Sequence, residues 1–479
     1  MGYSGKASGW AGGLLFYLCA VVVASSLFLG GGTRAGFLSD AILQLLSIPL
    51  LLVALWRSFE VQLAGHSRWA LWFCLALVCV PIFQLVPLPP ALWAALPNRG
   101  LSAEAFAIVG QELPWMPMSV SPRATWLSAF SLVTPLAIFV GTLLLSYRER
   151  RLLSLVVLAV GILSVFVGLI QVAQGPSSPL RFFAFTNPTE AVGFFANRNH
   201  FAALLYSLML LAAAWVAESV LATGPMSGRM RDTASIMALV GGFTVLVILI
   251  AGQAMARSRA GLGLAIVALF GAIALMVSDR RGTSGTTPTK VLFGAIALAV
   301  TLAIQLTLYR IMEIFAFDPL EDGRIRFARR TIEAATAYMP LGSGMGTFVP
   351  VYATFERPED TFGSAYVNHA HNDVLEVWLE AGVAGAALGG LFAIWLMLRS
   401  VAIWRRDPGP GMLELDRHLA RAATIVAALL VAHSFVDYPL RTGALMALMA
   451  FACALLLQQP IGAERKDKAE KDLWYSRSR

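Results

Sequence analysis

Residues 368–373 read Asn-His-Ala-His-Asn-Asp, and acids follow at positions 376 and 380. Two histidines one residue apart, at the mouth of an apolar stretch, suit proton transfer, because imidazole titrates near neutral pH. His371, near the water boundary, is the accessible candidate base. Asp373, Glu376 and Glu380 follow at helical spacing, so Glu376 and Glu380 share a face. Carboxylates inside an apolar helix are expensive and turn toward a polar interior. A plainer reading stays open, with interfacial histidines and acids that favour the start of a helix dipole.

Three further clusters carry arginine. In FFANRNHFAALL, residues 194–205, Asn197, Arg198, Asn199 and His200 stand just before an apolar helix. Backbone amides at a helix start plus an arginine make an anion site; a helix cap with an interfacial arginine is the alternative. In QAMARSRAG, residues 253–261, Arg257 and Arg259 sit on a very short link and must either snorkel outward or pair with an anion. In HSFVDYPLRTG, residues 433–443, His433, Asp437 and Arg441 cluster, and an internal ion pair of Asp437 with an arginine is the favoured role. The turn Gly342-Ser343-Gly344-Met345-Gly346 lacks the lysine of a P-loop and the strand that precedes a Rossmann site, so it does not read as a nucleotide cradle.

The elements that must position these residues are membrane helices. The chain has 479 residues, 58% apolar and only 13% charged, against about 25% charged in soluble domains. The sequence therefore reads as an all-α polytopic membrane protein. Apolar runs long enough to span recur near 10–31, 36–56, 69–89, 124–146, 152–174, 200–222, 234–254, 260–278, 290–312, 374–398, 419–436 and 441–459. About twelve transmembrane helices form a single integral membrane domain over 1–479, with both termini cytoplasmic. The first run reads as an uncleaved helix. The segment 313–373 is a large, partly helical outer loop, with a helix expected to end before Pro340. Residues 460–479 are a basic cytoplasmic tail.

This threading puts all five lysines on one side, at 6, 290, 466, 468 and 471. The opposite side keeps arginines hard against membrane ends, namely Arg198, Arg257, Arg259 and Arg441. Arginine on a translocated face opposes the positive-inside bias. Its planar fork of donors suits phosphate, which points to a phosphate-bearing substrate at the outer face. The net charge of +8 is scattered over short loops and the tail, which fits topology and anionic lipid rather than nucleic acid. The four cysteines lie within apolar spans and have no metal-site spacing with histidine, so neither a disulfide framework nor a zinc site is expected.

From about residue 80 to 445 the chain resembles the O-antigen ligase / O-antigen polymerase superfamily of bacterial envelope enzymes. The most specific matches are GRIRFARRTIEAATAYMPLGSGMGTF and NHAHNDVLEVWLEAGVAG, with FFANRNHFA, SRAGLG and HSFVDYPLR in support. The resemblance implies a GT-C type glycosyltransferase in the inner membrane, with its active site on the periplasmic face. It would take a glycan from undecaprenyl diphosphate and pass it to a growing glycan, to lipid A-core sugar or to a protein hydroxyl, with no nucleotide sugar, metal or other cofactor. The family's essential histidine maps to His371. Its essential arginines map first to Arg259, then to Arg198, with Arg324 third. Arg257, Arg324, His369, Asn372, Asp373 and Arg441 are the substrate-binding candidates. This chain departs from the family in doubling the histidine, which leaves the role of His369 open.

The physical reading agrees with that implication. A lipid diphosphate leaving group needs fixed cationic donors. Attack by one acceptor hydroxyl inverts the anomeric centre and needs no pair of glycosidase carboxylates. A lipid-linked oligosaccharide flippase is the alternative from another class, and it predicts charged residues and broken helices at the midplane. A structural scaffold leaves the translocated arginines unexplained.

Overall fold

A computed structural model describes residues 7–34, 36–222, 233–277, 323–360, 366–405 and 412–460. Helices occupy the expected spans to within a few residues, except for 290–312, which lies outside the described residues. Residues 313–322 and 361–365 of the expected large loop, and the tail from 461, also lie outside them. Among the described residues, eight helical segments, with Pro122–Leu144 taken as one, are long and apolar enough to cross a membrane. The chain is a multi-pass membrane protein.

The centre of the bundle is the helix Arg198–Ala222, in which every residue from Asn199 to Ala217 except Trp215 is buried. Its run FAALLYSLMLLAAAW is apolar all round, which suits a helix enclosed by others. It packs against Tyr147–Gln174, Thr233–Ala256, Arg259–Val277 and Glu414–His433. Its first turn therefore emerges where the loops from those neighbours converge.

The expected single span at 124–146 is two helices, Pro122–Ser131 and Val133–Leu144, that meet at Leu132. Pro135 explains the break, since it lacks the amide that would donate back to Ser131. Residues 85–121 form a compact cover. Pro87–Leu88 pairs antiparallel with Met116–Pro117, and Arg99 is buried with its guanidinium against the Trp93 and Tyr338 rings. At the opposite end of the bundle, buried Arg150 donates to the carbonyls of Thr142, Leu143, Leu145 and Leu457. That arginine ties the C-terminus of Val133–Leu144 to the chain just beyond the helix Gly443–Leu455.

Backbone passes backbone at one point near the site. A Cβ on Gly31 would collide with the Phe194 carbonyl, so only glycine fits there. The Gly31 carbonyl accepts from Ala196 N at 3.0 Å, and the Gly30 carbonyl accepts from Ala444 N at 2.9 Å. The first loop is thereby fixed to both the 194–196 turn and the last helix.

Candidate active site

The expected helix before Pro340 forms as Gly323–Ala337 and carries Arg324 and Phe327 toward residues 366–372. Those residues run into the helix Asp373–Arg405. Asn372 starts that helix. Its Oδ1 accepts from Leu375 N at 3.0 Å, and its Nδ2 donates to the Phe435 carbonyl at 2.8 Å. His371 has a φ of 51°, in the left-handed region. Non-glycine residues are uncommon there and cluster at functional sites.

The imidazole of His371 lies with Nδ1 3.2 Å from Asp437 Oδ1. It stacks on Phe327 at 5.8 Å between centroids and meets the Tyr438 ring at 4.9 Å. The Asp437 side chain is 0% exposed. Its Oδ1 also accepts from Tyr438 N at 3.0 Å, and its Oδ2 accepts from Asn199 Nδ2. The guanidinium of Arg324 is 3.7 Å from Oδ2. Burial raises the Asp437 pKa, but the His371 hydrogen bond and the nearby cationic charge outweigh it and hold the carboxyl well below its usual range. An ionised Asp437 accepts only, so Nδ1 of His371 carries a proton, and in the neutral ring the lone pair is then on Nε2.

His369 faces a different set of partners. Its Nε2 lies 2.9 Å from the Thr33 carbonyl and its Nδ1 2.8 Å from Glu376 Oε1. A carbonyl can only accept, so Nε2 carries a proton. Burial disfavours the charged ring, yet the Glu376 carboxylate and its hydrogen bond more than offset this and raise the His369 pKa. Glu376 Oε2 accepts from Ala370 N at 2.9 Å.

Arg441 lies beside all three carboxylates of this helix. It is 2.7 Å from Glu380 Oε2, 3.4 Å from Glu376 Oε1 and 3.6 Å from Asp373 Oδ1. Asp373 Oδ2 accepts from Ser434 Oγ at 2.7 Å and from Leu440 N at 3.1 Å. The acids expected to face a polar interior therefore do so, and the last turn of the bundle supplies their cation.

The glycine turn 342–346 is a packing element. The amides of Ser343 and Gly344 donate to the carbonyls of Leu379 and Glu380 at 2.9 Å each, and Met345 N donates to Gln84 Oε1 at 2.8 Å. Phe348 N donates to Glu380 Oε1 at 3.1 Å. The turn seats on Gly382, which has a φ of +53° and kinks the long helix. These amides are spent on protein, as expected for a turn that is no nucleotide cradle.

Of the remaining arginines, Arg198 begins the central helix and pairs with Glu190 Oε1 at 2.5 Å, with its side chain 34% exposed. Arg257, at a φ of 50°, and Arg259, the first residue of the helix Arg259–Val277, are both exposed. Ala191 N donates to the Met255 carbonyl at 3.1 Å, which joins that turn to the loop before Arg198. The structure thus brings His371 and Arg324 together around Asp437. Arg198 adjoins Asn199, and Arg257 and Arg259 stand on a neighbouring turn at the same end. His369, Asp373 and Arg441 form the separate charged cluster, and Asn372 caps the helix between the two sets.

Residues 244–389 match the family model described as O-antigen ligase. That stretch, under a third of the chain, is similar to the O-antigen ligase family. That segment runs from the helix before Arg257 through His371 and the three carboxylates. Asp437, Asn199 and Arg198 lie outside it and reach the site through the fold. The resemblance to the O-antigen ligase / polymerase superfamily is supported on this match. No curated protein matches the chain. The partner of His371 is what reading along the sequence missed. Asp437 stood out there for an arginine pair, and only the fold shows its shorter contact with His371.

Proposed function

We propose that this O-antigen ligase-type protein transfers a glycan from undecaprenyl diphosphate to an acceptor hydroxyl at the periplasmic face of the inner membrane. The reading rests on one observation above all, the His371–Asp437 pair at the end of the bundle where the arginine-bearing helix starts gather. His371 Nε2 takes the acceptor hydroxyl proton as that oxygen attacks the anomeric carbon. The new C1–O bond forms as the C1–O bond to diphosphate breaks, and the configuration at C1 inverts. Asp437 stays ionised and stabilises the imidazolium, which then loses the proton to water.

The departing undecaprenyl diphosphate gains negative charge. Arg259, Arg257 and Arg198 supply cationic donors for it, and Arg324 lies 3.7 Å from Asp437, the carboxylate partner of the base. His369, Asn372, Asp373 and Arg441 hold the catalytic turn in place through the contacts above. The functional groups gather at one end of the bundle, which suits a reaction at the surface rather than a transport path.

The test uses purified protein in nanodiscs with an undecaprenyl-diphosphate glycan, and lipid A-core and the glycan itself as acceptors. Products are read by mass. Glycan on lipid A-core identifies a ligase, and a lengthened lipid-linked glycan a polymerase. His371→Ala is expected to abolish either product while the protein still inserts and folds. Normal turnover by that variant would remove His371 from the mechanism, and donor translocation without transfer would identify a flippase.

A further inference from the structure

The loop between the first two helices does more than tie the bundle together. The Thr33 carbonyl accepts from Asn368 Nδ2 at 3.2 Å and from His369 Nε2 at 2.9 Å. The next residue, Arg34, places its guanidinium carbon 4.1 Å from the centroid of the Phe185 ring and 5.0 Å from that of Tyr366. These rings come from distant parts of the chain, and both stay open to the surroundings, Phe185 at 69% and Tyr366 at 52% exposure. Leaving two large aromatic side chains this exposed forgoes burial that each could contribute to the fold. Tyr366 lies on the strand of chain that leads directly into His369 and His371.

We infer that Arg34, Phe185 and Tyr366 form a glycan platform beside the catalytic histidine, on which a pyranose ring of the sugar chain stacks. A pyranose has an apolar face of C–H bonds carrying slight positive charge, which fits the negative face of an aromatic ring. A guanidinium between two rings holds both in place through cation–π attraction. Its N–H edge offers donors to hydroxyl groups and to the carboxylate of an acidic sugar. The three residues sit on three separate segments tied to the first loop and the histidine turn, so the platform moves with the active site. An aromatic belt is a different arrangement, made mainly of tryptophan and tyrosine at headgroup level, and it needs no arginine between its rings.

The platform rests on the glycan-transfer reading, and the experiment separates the two. The full-length protein in nanodiscs is titrated with two probes. One is the oligosaccharide released by mild acid from the lipid-linked glycan pool of the cells in which the protein acts. The other is delipidated lipopolysaccharide core. Binding is followed by saturation-transfer NMR, and transfer is assayed in parallel. Tyr366→Ala and Phe185→Ala are each expected to weaken one probe roughly tenfold, which corresponds to about 1.4 kcal/mol, and to raise the matching KM while kcat at saturation holds. Tyr366→Phe keeps the stacking face and is expected to bind as the native protein does, which excludes simple loss of fold.

The probe affected shows whether the platform reads the donor glycan or the acceptor. Unchanged binding of both probes and unchanged KM in both alanine variants would overturn the platform while leaving the transfer reading intact. Loss of binding in a protein that transfers nothing would keep the platform and overturn the reaction.

Discussion

Asp437→Asn tests the base assignment at its most exposed point. The carboxylate receives four donors in a space closed to water: His371 Nδ1, Tyr438 N, Asn199 Nδ2 and the more distant Arg324. An asparagine has one accepting oxygen for these contacts. With its oxygen toward His371, its amide faces the Asn199 amide and Arg324, donor against donor. With its amide toward His371, Nδ1 must accept, and the proton moves to Nε2, where the base needs a lone pair. Each arrangement loses a charge-assisted hydrogen bond worth about 1.5–3 kcal/mol, and the second also removes a general base worth about 10²–10⁴ in rate. A fall in kcat of roughly 10²-fold or more is expected, with KM for the lipid-linked donor nearly unchanged. The assay is glycan transfer in nanodiscs, with thermal unfolding measured alongside. Native kcat in a folded Asp437→Asn protein would refute the argument that Asp437 sets the His371 tautomer.

Other expectations follow from the remaining charges. Arg259→Lys is expected to be severely impaired in transfer, because a point charge does not replace a planar fork of donors; activity equal to the native protein would mean that Arg259 only snorkels. Arg441→Met leaves three nearly buried carboxylates without their cation, and unfolding in detergent is expected to show a loss of about 3–5 kcal/mol, partly restored by adding Glu380→Gln. The folded protein raises the His369 pKa above its ordinary 6.5, so it binds that proton more tightly than the unfolded chain does. The resulting stability is fully present below 6.5 and is lost as pH rises through the higher folded value. Denaturation curves of the native protein and His369→Gln are expected to converge as pH rises, and a constant gap between them would contradict the proton assignment.

The helices were legible because an apolar run of about twenty residues has few other uses. The His-Ala-His-Asn turn was legible because its residue types are costly at a membrane boundary. Helical spacing put Glu376 and Glu380 on one face, and the cost of burying them predicted a polar interior. What spacing along the chain does not contain is contact across it. Asp437 and His371 are 66 residues apart, and His369 and Thr33 are 336 apart. Sequence offered Arg441 to a substrate, because an outward arginine beside a membrane end looks available. The fold instead gives it three acids one turn apart. The break at Leu132 had its cause in plain view at Pro135, but an uninterrupted apolar run masked it.

The pairing of Arg441 with Glu380 has a consequence for how the protein is made. The two are 61 residues apart, so at a synthesis rate of 5–20 residues per second the acid leaves the ribosome about 3–12 s before its cation. During that interval Asp373, Glu376 and Glu380 head a membrane helix with no arginine to neutralise them, and inserting them alone carries a heavy penalty. The start of that helix is therefore expected to stay at the water boundary until the closing turn arrives. On the proposed reading, the candidate site is complete only once Arg441 has joined these acids, and a chain truncated before Arg441 is expected to leave the start of that helix, just after His371, without its cation.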